Sequence, residues 1–95
     1  MKVNVGLTMA NPIVLRKVEI DRSTEKFIIE NDKSLSNKYK SLDKVQNVLD
    51  YIFGSEDGDW FLMNESTCIV NNFKYNIFYI EDKDGDKHQI FIKII

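Results

Sequence analysis

The stretch YIEDKDGDKHQIFI, residues 79–92, places an Asp-Gly pair between two runs of apolar and aromatic residues. Asp-Gly is favoured in two-residue type I′ turns, so the stretch predicts a β-hairpin that closes at Asp84 and Gly85. In this register the tip pairs are opposite in charge and the stem pairs are apolar: Lys83–Asp86, Asp82–Lys87, Tyr79–Ile90, Ile77–Ile92 and Tyr75–Ile94. One apolar face of the hairpin is therefore expected to lie in the core.

The alternating aspartates of the same stretch raise a second interpretation, a calcium-binding loop. An EF-hand loop that begins at Asp82 requires glycine at its sixth position and glutamate at its twelfth. The sequence has Lys87 and Lys93 at these positions. Because two cations replace the backbone hinge and the bidentate carboxylate, we interpret the aspartates as turn residues and expect no metal or other cofactor.

Three further segments predict strands and turns. Alternation of apolar and polar residues over 3–9 predicts a strand with one buried face. Residues 13–32 predict a hairpin around 22–25, in which Val18 faces Ile29 and Lys17 faces Glu30. In the second half of the chain, residues 60–63 and 66–70 predict two short strands, and Asn71-Asn72 predicts a tight turn with positive φ.

The segment SLDKVQNVLDYIFG predicts the helix of the fold. Ser41 stands at the N-cap position, and Gly54 stands where a helix-terminating residue belongs. The apolar residues between them recur at helical spacing: Leu42, Val45, Val48, Leu49, Ile52 and Phe53. We therefore expect an α+β fold in a single domain, residues 1–95. An antiparallel sheet of about five to seven strands carries one amphipathic helix, residues 41–53, packed on one face.

Residue usage argues against several kinds of chemistry. Cys68 and His88 are the only cysteine and histidine, so one chain can form no internal disulfide and no histidine-based metal site. The four glycines are isolated, which excludes a glycine-rich phosphate loop. A Cys68–His88 dyad would require the two side chains to meet across the sheet. Paired carboxylates occur only in solvated turns, where no apolar surroundings raise their pKa, so we expect a non-catalytic protein.

The distribution of apolar residues predicts a cytoplasmic location. The N-terminal residues are too polar for a signal peptide, and no apolar run approaches the roughly 20 residues of a membrane span. The expected partners are therefore proteins or nucleic acids, and no membrane contact is expected.

Charge is unevenly spread along the chain, and its acidic part suggests a binding surface. The net charge of −2 combines +2 over residues 1–54 with −4 over residues 55–95. A large aromatic beside carboxylates suits an anchor in a charged rim, while the alternative interpretation makes Trp60 a core residue. The expected partner-binding residues lie in two runs: Glu56, Asp57, Asp59 and Trp60, then Glu81, Asp82, Asp84 and Asp86.

The identity of the partner is a hypothesis. Asn-, Lys- and Ile-rich usage in a very small chain is common among phage and mobile-element proteins of AT-rich hosts. Acidic loops could then occupy the basic groove of a nucleic-acid-binding host protein, as an anti-defence or anti-CRISPR-like inhibitor. A homodimer could also form if the long C-terminal strand lies at a sheet edge.

The alternative is a nucleic-acid-binding accessory protein that uses the lysine-rich loop 33–44. Cations interleaved with an aromatic can follow a phosphate backbone and stack a base. An isoelectric point near 5.3 disfavours this alternative. Its candidate residues are Lys33, Lys38, Tyr39, Lys40 and Lys44.

Overall fold

A five-stranded mixed sheet forms most of the structure. The computed structural model describes residues 6–19, 21, 24–31, 42–54 and 60–95. Its elements are β1 (Ile13–Glu19), β2 (Glu25–Ile29), α1 (Asn47–Phe53), β3 (Trp60–Val70), β4 (Phe73–Asp82) and β5 (Lys87–Ile94). The strand order is β2-β1-β5-β4-β3. Neighbouring strands are antiparallel except β1 and β5, which run parallel.

The expected α+β class is wrong, because most of the described residues are in strands and the sheet is mixed. The helix is also much shorter than 41–53. Phe27 and Leu42 exchange backbone hydrogen bonds of 2.7 and 2.8 Å, so Leu42 pairs with the outer edge of β2 instead of starting a helix. The helix begins only after Gln46, which makes no side-chain cap bond, and Ser41 lies outside the described residues. A seven-residue α1 therefore replaces the predicted amphipathic helix.

The core lies on one face of the sheet and takes in the apolar residues of α1. Its members are almost fully buried: Ile13, Leu15, Ile29, Leu42, Val48, Leu49, Ile52, Trp60, Phe78, Ile80, Ile90 and Ile92. Three of these come from α1 and two from each of β1, β4 and β5. No helix in the described part of the chain is long and apolar enough to cross a membrane.

The β4–β5 hairpin is present, but its register differs by one residue from the predicted one. Phe78 pairs with Ile90, whereas the Asp84-Gly85 turn predicted pairing with Phe91. The loop has three residues instead of two, and the N–H of Asp82 donates to the carbonyl of Asp86 at 2.8 Å. Gly85 has φ +85°. This geometry is a type I turn followed by a glycine bulge, which adds one residue to the loop.

The added residue exchanges the two faces of β4. Since side chains alternate along a strand, a shift of one residue moves every side chain to the opposite face. Phe78 and Ile80 are therefore buried, while Tyr75, Ile77 and Tyr79 lie half-buried on the other face. The predicted core face of β5 is confirmed by its buried isoleucines.

The β1–β2 hairpin also forms in a different register. Leu15, not Val18, pairs with Ile29, and this places two buried side chains opposite each other. The exposed charges form other pairs than expected, since Glu30 binds Arg16 instead of Lys17. The register thus follows burial more closely than charge.

Two sequence features at β3 have different outcomes. The predicted tight turn is confirmed, because Asn71 and Asn72 have φ 51° and 71° between β3 and β4. The two short strands predicted before it are one eleven-residue strand with a register shift between Leu62 and Asn64. β3 and β2 are the edges of the sheet, so the expectation that the C-terminal strand forms an edge is wrong.

Residues 6–11 form a turn instead of the predicted strand. The N–H of Gly6 donates to the carbonyl of Asn11 at 2.8 Å, and the carbonyl of Gly6 accepts from Phe91 at 2.7 Å. Gly6 is buried, whereas Leu7 and Met9 are exposed. The predicted burial of these two apolar side chains is therefore wrong, and residues 1–5 lie outside the described part.

Two glycines with nearly the same φ allow backbone strain to be separated from packing. Gly6 has φ +87°, and a Cβ placed there would lie 2.8 Å from Ile13 Cγ1. Gly85 has φ +85° and nothing within 4 Å of the corresponding position. We expect Gly85→Ala to reduce the free energy of unfolding by about 1–2 kcal/mol through left-handed strain alone. Gly6→Ala should cost about 1–3 kcal/mol more because of overpacking.

Urea unfolding of both variants measures this difference. Equal losses of stability would show that Gly6 does not lie against Ile13 as described.

Candidate functional site

Asp82 organises the tip of the β4–β5 hairpin. Its Oδ1 accepts the backbone N–H groups of Asp84 and Asp86, both at 2.9 Å, and its Oδ2 lies 2.8 Å from His88 Nε2. Because an ionised carboxylate only accepts hydrogen bonds, Nε2 carries the shared proton. The hydrogen bond from His88 holds the pKa of Asp82 below its ordinary value, and the two backbone N–H groups act in the same direction.

His88 connects this tip to the end of α1. Its ring centroid lies 5.2 Å from that of Phe53, in a tilted arrangement. The predicted neighbour of His88 was Glu81, but Glu81 stands opposite Lys87 in the observed register. Because of the one-residue shift, the carboxylate that binds His88 is that of Asp82 instead of Glu81.

The acidic residues at the tip therefore have different roles. Asp82 is half-buried and occupied by internal hydrogen bonds, so it shapes the turn. Asp84 and Asp86 are exposed and form no ion pair with any described residue. Glu81 is half-buried at the end of β4. Two of the four predicted tip carboxylates are thus fully available to a partner.

Trp60 is a core residue and does not serve as an exposed anchor. Its side chain is 1% exposed, and its Nε1–H donates to the carbonyl of Gly54 at 2.6 Å. Gly54 ends α1 at φ +95°, as the terminating position predicted, and its N–H donates to the carbonyl of Asp50. The bond from Trp60 therefore fixes the end of α1 to the start of β3.

The other acidic run of the sequence, Glu56, Asp57 and Asp59, lies outside the described residues, but the flanking Gly54 and Trp60 are described. Trp60 pairs with Asp82 across β3 and β4.

We call residues 81–87, at the tip of the β4–β5 hairpin, the acidic end. The acidic end holds four carboxylates against two lysines, a net charge of −2. The exposed carboxylates of Asp84 and Asp86 make this tip a negatively charged surface.

A concavity adjoins the hairpin tip. It has a volume of about 390 Å³. Its lining is largely apolar and includes groups from β3, β4 and β5: Met63, Tyr79, Ile80, Lys87, His88 and Gln89. A partner side chain could be received here, beside the exposed carboxylates.

The remaining predicted sites are not assembled by the described residues. Lys33, Lys38, Tyr39 and Lys40 lie outside the described part of the chain. Lys44 is exposed, and its backbone N–H donates to Asn47 Oδ1 at the start of α1. The structure therefore does not describe the lysine-rich loop as a surface.

The register of the sheet separates Cys68 from His88. Cys68 pairs with Tyr75, and His88 pairs with Ile80, five residues further along β4. At about 3.4 Å per residue this is roughly 17 Å, too far for a dyad. In the described ranges, no three His, Cys, Asp or Glu side chains are grouped to hold a metal ion.

Comparison with known protein families, with curated proteins and with solved structures finds no match for this chain.

Sequence reasoning missed the exposed apolar residues of β3. Four of its side chains are at least 40% exposed: Phe61, Met63, Ile69 and Val70. The sequence contained a signal for one long, apolar strand, because residues 60–70 include neither glycine nor proline and only one charge, Glu65. The prediction of two short strands did not use this signal.

Fluorescence of Trp60, the only tryptophan, tests its burial directly. We expect blue-shifted emission and weak quenching by acrylamide, because the indole is 1% exposed and bonded to Gly54. Emission and quenching like those of free tryptophan would instead support the exposed-anchor interpretation. The unfolded protein in urea provides the control.

The bond between Asp82 and His88 predicts a pH dependence of stability. A carboxylate whose folded pKa is lowered stabilises the fold above its unfolded pKa, here near 3.8, and loses that effect as the pH falls through the folded pKa. Asp82→Asn keeps an oxygen acceptor but removes the charge. Its stability deficit should therefore be present above pH 3.8 and shrink below it.

Urea unfolding at a series of pH values measures this deficit. Asp84→Asn is the matched control, since the exposed Asp84 carboxylate has no ion pair among the described residues, and its urea midpoint should stay near that of the parent protein. A deficit of Asp82→Asn that is constant with pH would show that charge at Asp82 contributes nothing.

Proposed function

We propose that this protein is a small, non-catalytic protein-binding domain whose acidic end docks on a basic surface of a partner protein. The observation that supports the proposal most is the exposure of Asp84 and Asp86 on a turn whose shape Asp82 fixes by hydrogen bonds. Trp60, which follows the other acidic run in the sequence, pairs with Asp82.

The hairpin tip is suited to binding because its shape is fixed before a partner arrives. Asp82 holds the N–H groups of Asp84 and Asp86, so the turn that presents their carboxylates is ordered in the free protein. Preorganised groups lose less conformational entropy on binding. The exposed carboxylates can therefore contribute to affinity and, through their field, to the rate of association.

The adjoining concavity supplies the apolar contact that charges alone do not. Interfaces usually depend on a buried anchor surrounded by polar groups. Because Trp60 is in the core, the anchor would come from the partner and enter between Met63 and Tyr79. This reverses the roles expected from the sequence, in which this protein supplied the aromatic anchor.

A partner that normally binds nucleic acid fits this chemistry. Its groove presents cations spaced for phosphates, and the carboxylates of the acidic end can pair with the same cations. We therefore propose that the protein acts in the cytoplasm as an inhibitor of such a protein, in the manner of an anti-defence or anti-CRISPR-like factor.

Charge reversal at the tip tests this function. The double variant Asp84→Lys/Asp86→Lys changes two exposed side chains and should weaken partner binding at least about tenfold, mainly through slower association. The control Glu19→Lys/Asp50→Lys makes the same change of charge at exposed positions outside the acidic end and should retain most of the affinity. Far-UV circular dichroism confirms that each variant is folded.

Partners are first captured with the parent protein from bacterial lysate, with and without nuclease treatment. Dissociation constants are then measured at low and moderate salt. Equal affinities of the two variants would contradict the proposal. Retention of nucleic acid, or of proteins only through it, would instead favour the loop 33–44.

A further inference from the structure

The outer edge of β3 is available for strand pairing. β3 spans eleven residues, about twice the usual length of a strand, and β4 is its only hydrogen-bonded neighbour among the described residues. Edge strands present a row of unpaired N–H and C=O groups, and proteins usually protect them with lysine, proline or short length. β3 contains no lysine or proline, and its register shift near Leu62 interrupts only its first part.

The side chains of this edge are unusually apolar for an exposed strand. Ile69 is 76% exposed and Met63 is 57% exposed. Glu65, near the middle of β3, is the one charged residue of the strand. An edge of this kind is stabilised when it pairs with another strand.

The pattern of β3 is nearly symmetric about its centre. The strand reads WFLM, then NEST, then CIV: an apolar part, a polar part and a second apolar part. When two identical strands pair antiparallel, the first part of each faces the last part of the other. With Ser66 on the two-fold axis, Met63 lies opposite Ile69 and Leu62 lies opposite Val70 of a second copy. The polar residues then surround the axis, and Glu65 faces Thr67 instead of a second carboxylate.

We propose that β3 pairs antiparallel with β3 of a second copy, which joins two sheets into one ten-stranded sheet. The interface is isologous, so the same edge contributes from both molecules and the assembly closes as a dimer.

The opposite edge of the sheet explains why growth stops at two molecules. Phe27 of β2 donates to and accepts from Leu42 on its outer side, at 2.8 and 2.7 Å. β2 has only five residues, and this bridge uses both the N–H and the C=O of one of them, Phe27. A copy adding to β2 would have to displace Leu42 from the core, so head-to-tail filaments are disfavoured.

Sedimentation velocity over a range of protein concentrations tests the proposal. We expect a monomer–dimer equilibrium that is detectable at or below about 100 μM. Ile69→Lys and Met63→Lys, which place cations on the paired edge, should each raise the dimer dissociation constant at least about tenfold. Leu7→Lys is the matched control, because Leu7 is 43% exposed in the N-terminal turn and outside β3.

A charge-reversal variant of the acidic end tests whether dimerisation is independent of partner binding. Asp84→Lys/Asp86→Lys should dimerise as the parent protein does, whatever its effect on partner binding. A protein that remains monomeric at all concentrations tested would overturn the proposal. The edge of β3 would then be a candidate for pairing with a strand of a different protein. A dimer that Ile69→Lys and Met63→Lys leave intact, or that Leu7→Lys weakens equally, would also overturn it.

Discussion

The three-residue turn at Lys83, Asp84 and Gly85 sets the register on which the rest of the sheet depends. Gly85 adopts φ +85° without steric cost, and the side chain of Asp82 accepts two N–H groups of the same turn. The resulting register buries Phe78 and Ile80 and leaves the tyrosines of β4 on the opposite face. β3 is aligned on β4, where Trp60 pairs with Asp82, and the side chain of Trp60 is in the core. One loop residue thus determines which side chains of β4 are buried.

Local patterns were predictable from the sequence, whereas their register was not. The Asn71-Asn72 turn and the position of Gly54 follow from residues whose backbone preferences hold in almost any context. The β4–β5 hairpin followed from two apolar runs around Asp-Gly, but in the observed register only Ile77–Phe91 and Phe78–Ile90 join two apolar residues. The side-chain hydrogen bonds of Asp82 accompany the longer loop, and a count of apolar cross-strand pairs does not reveal them.

The helix and the sheet order show the same limitation. The apolar spacing of residues 42–53 fits a helix, yet Leu42 gains two backbone hydrogen bonds by pairing with Phe27 instead. At the candidate site, the sequence assigned the aspartates to the turn but did not distinguish Asp82, whose carboxylate is bonded within the turn, from the exposed Asp84. That distinction depends on where the N–H groups of the loop point. Exposure of β3 was hidden because a strand is recognised as an edge only once its neighbours are known.

The position of β5 also constrains how the chain can fold. β5 is the last strand in sequence but lies in the centre of the sheet, and Ile92 pairs with Ile13 near the other end of the chain. During synthesis β1 and β2 emerge first but lack the strand that joins them to the rest of the sheet. The β3–β4 pair forms through a short local turn, whereas the β1–β5 contact closes a loop of nearly the whole domain and is entropically the most expensive. Folding to the native sheet therefore waits until β5 has left the ribosome, and the large sequence separation between β1 and β5 slows that final step.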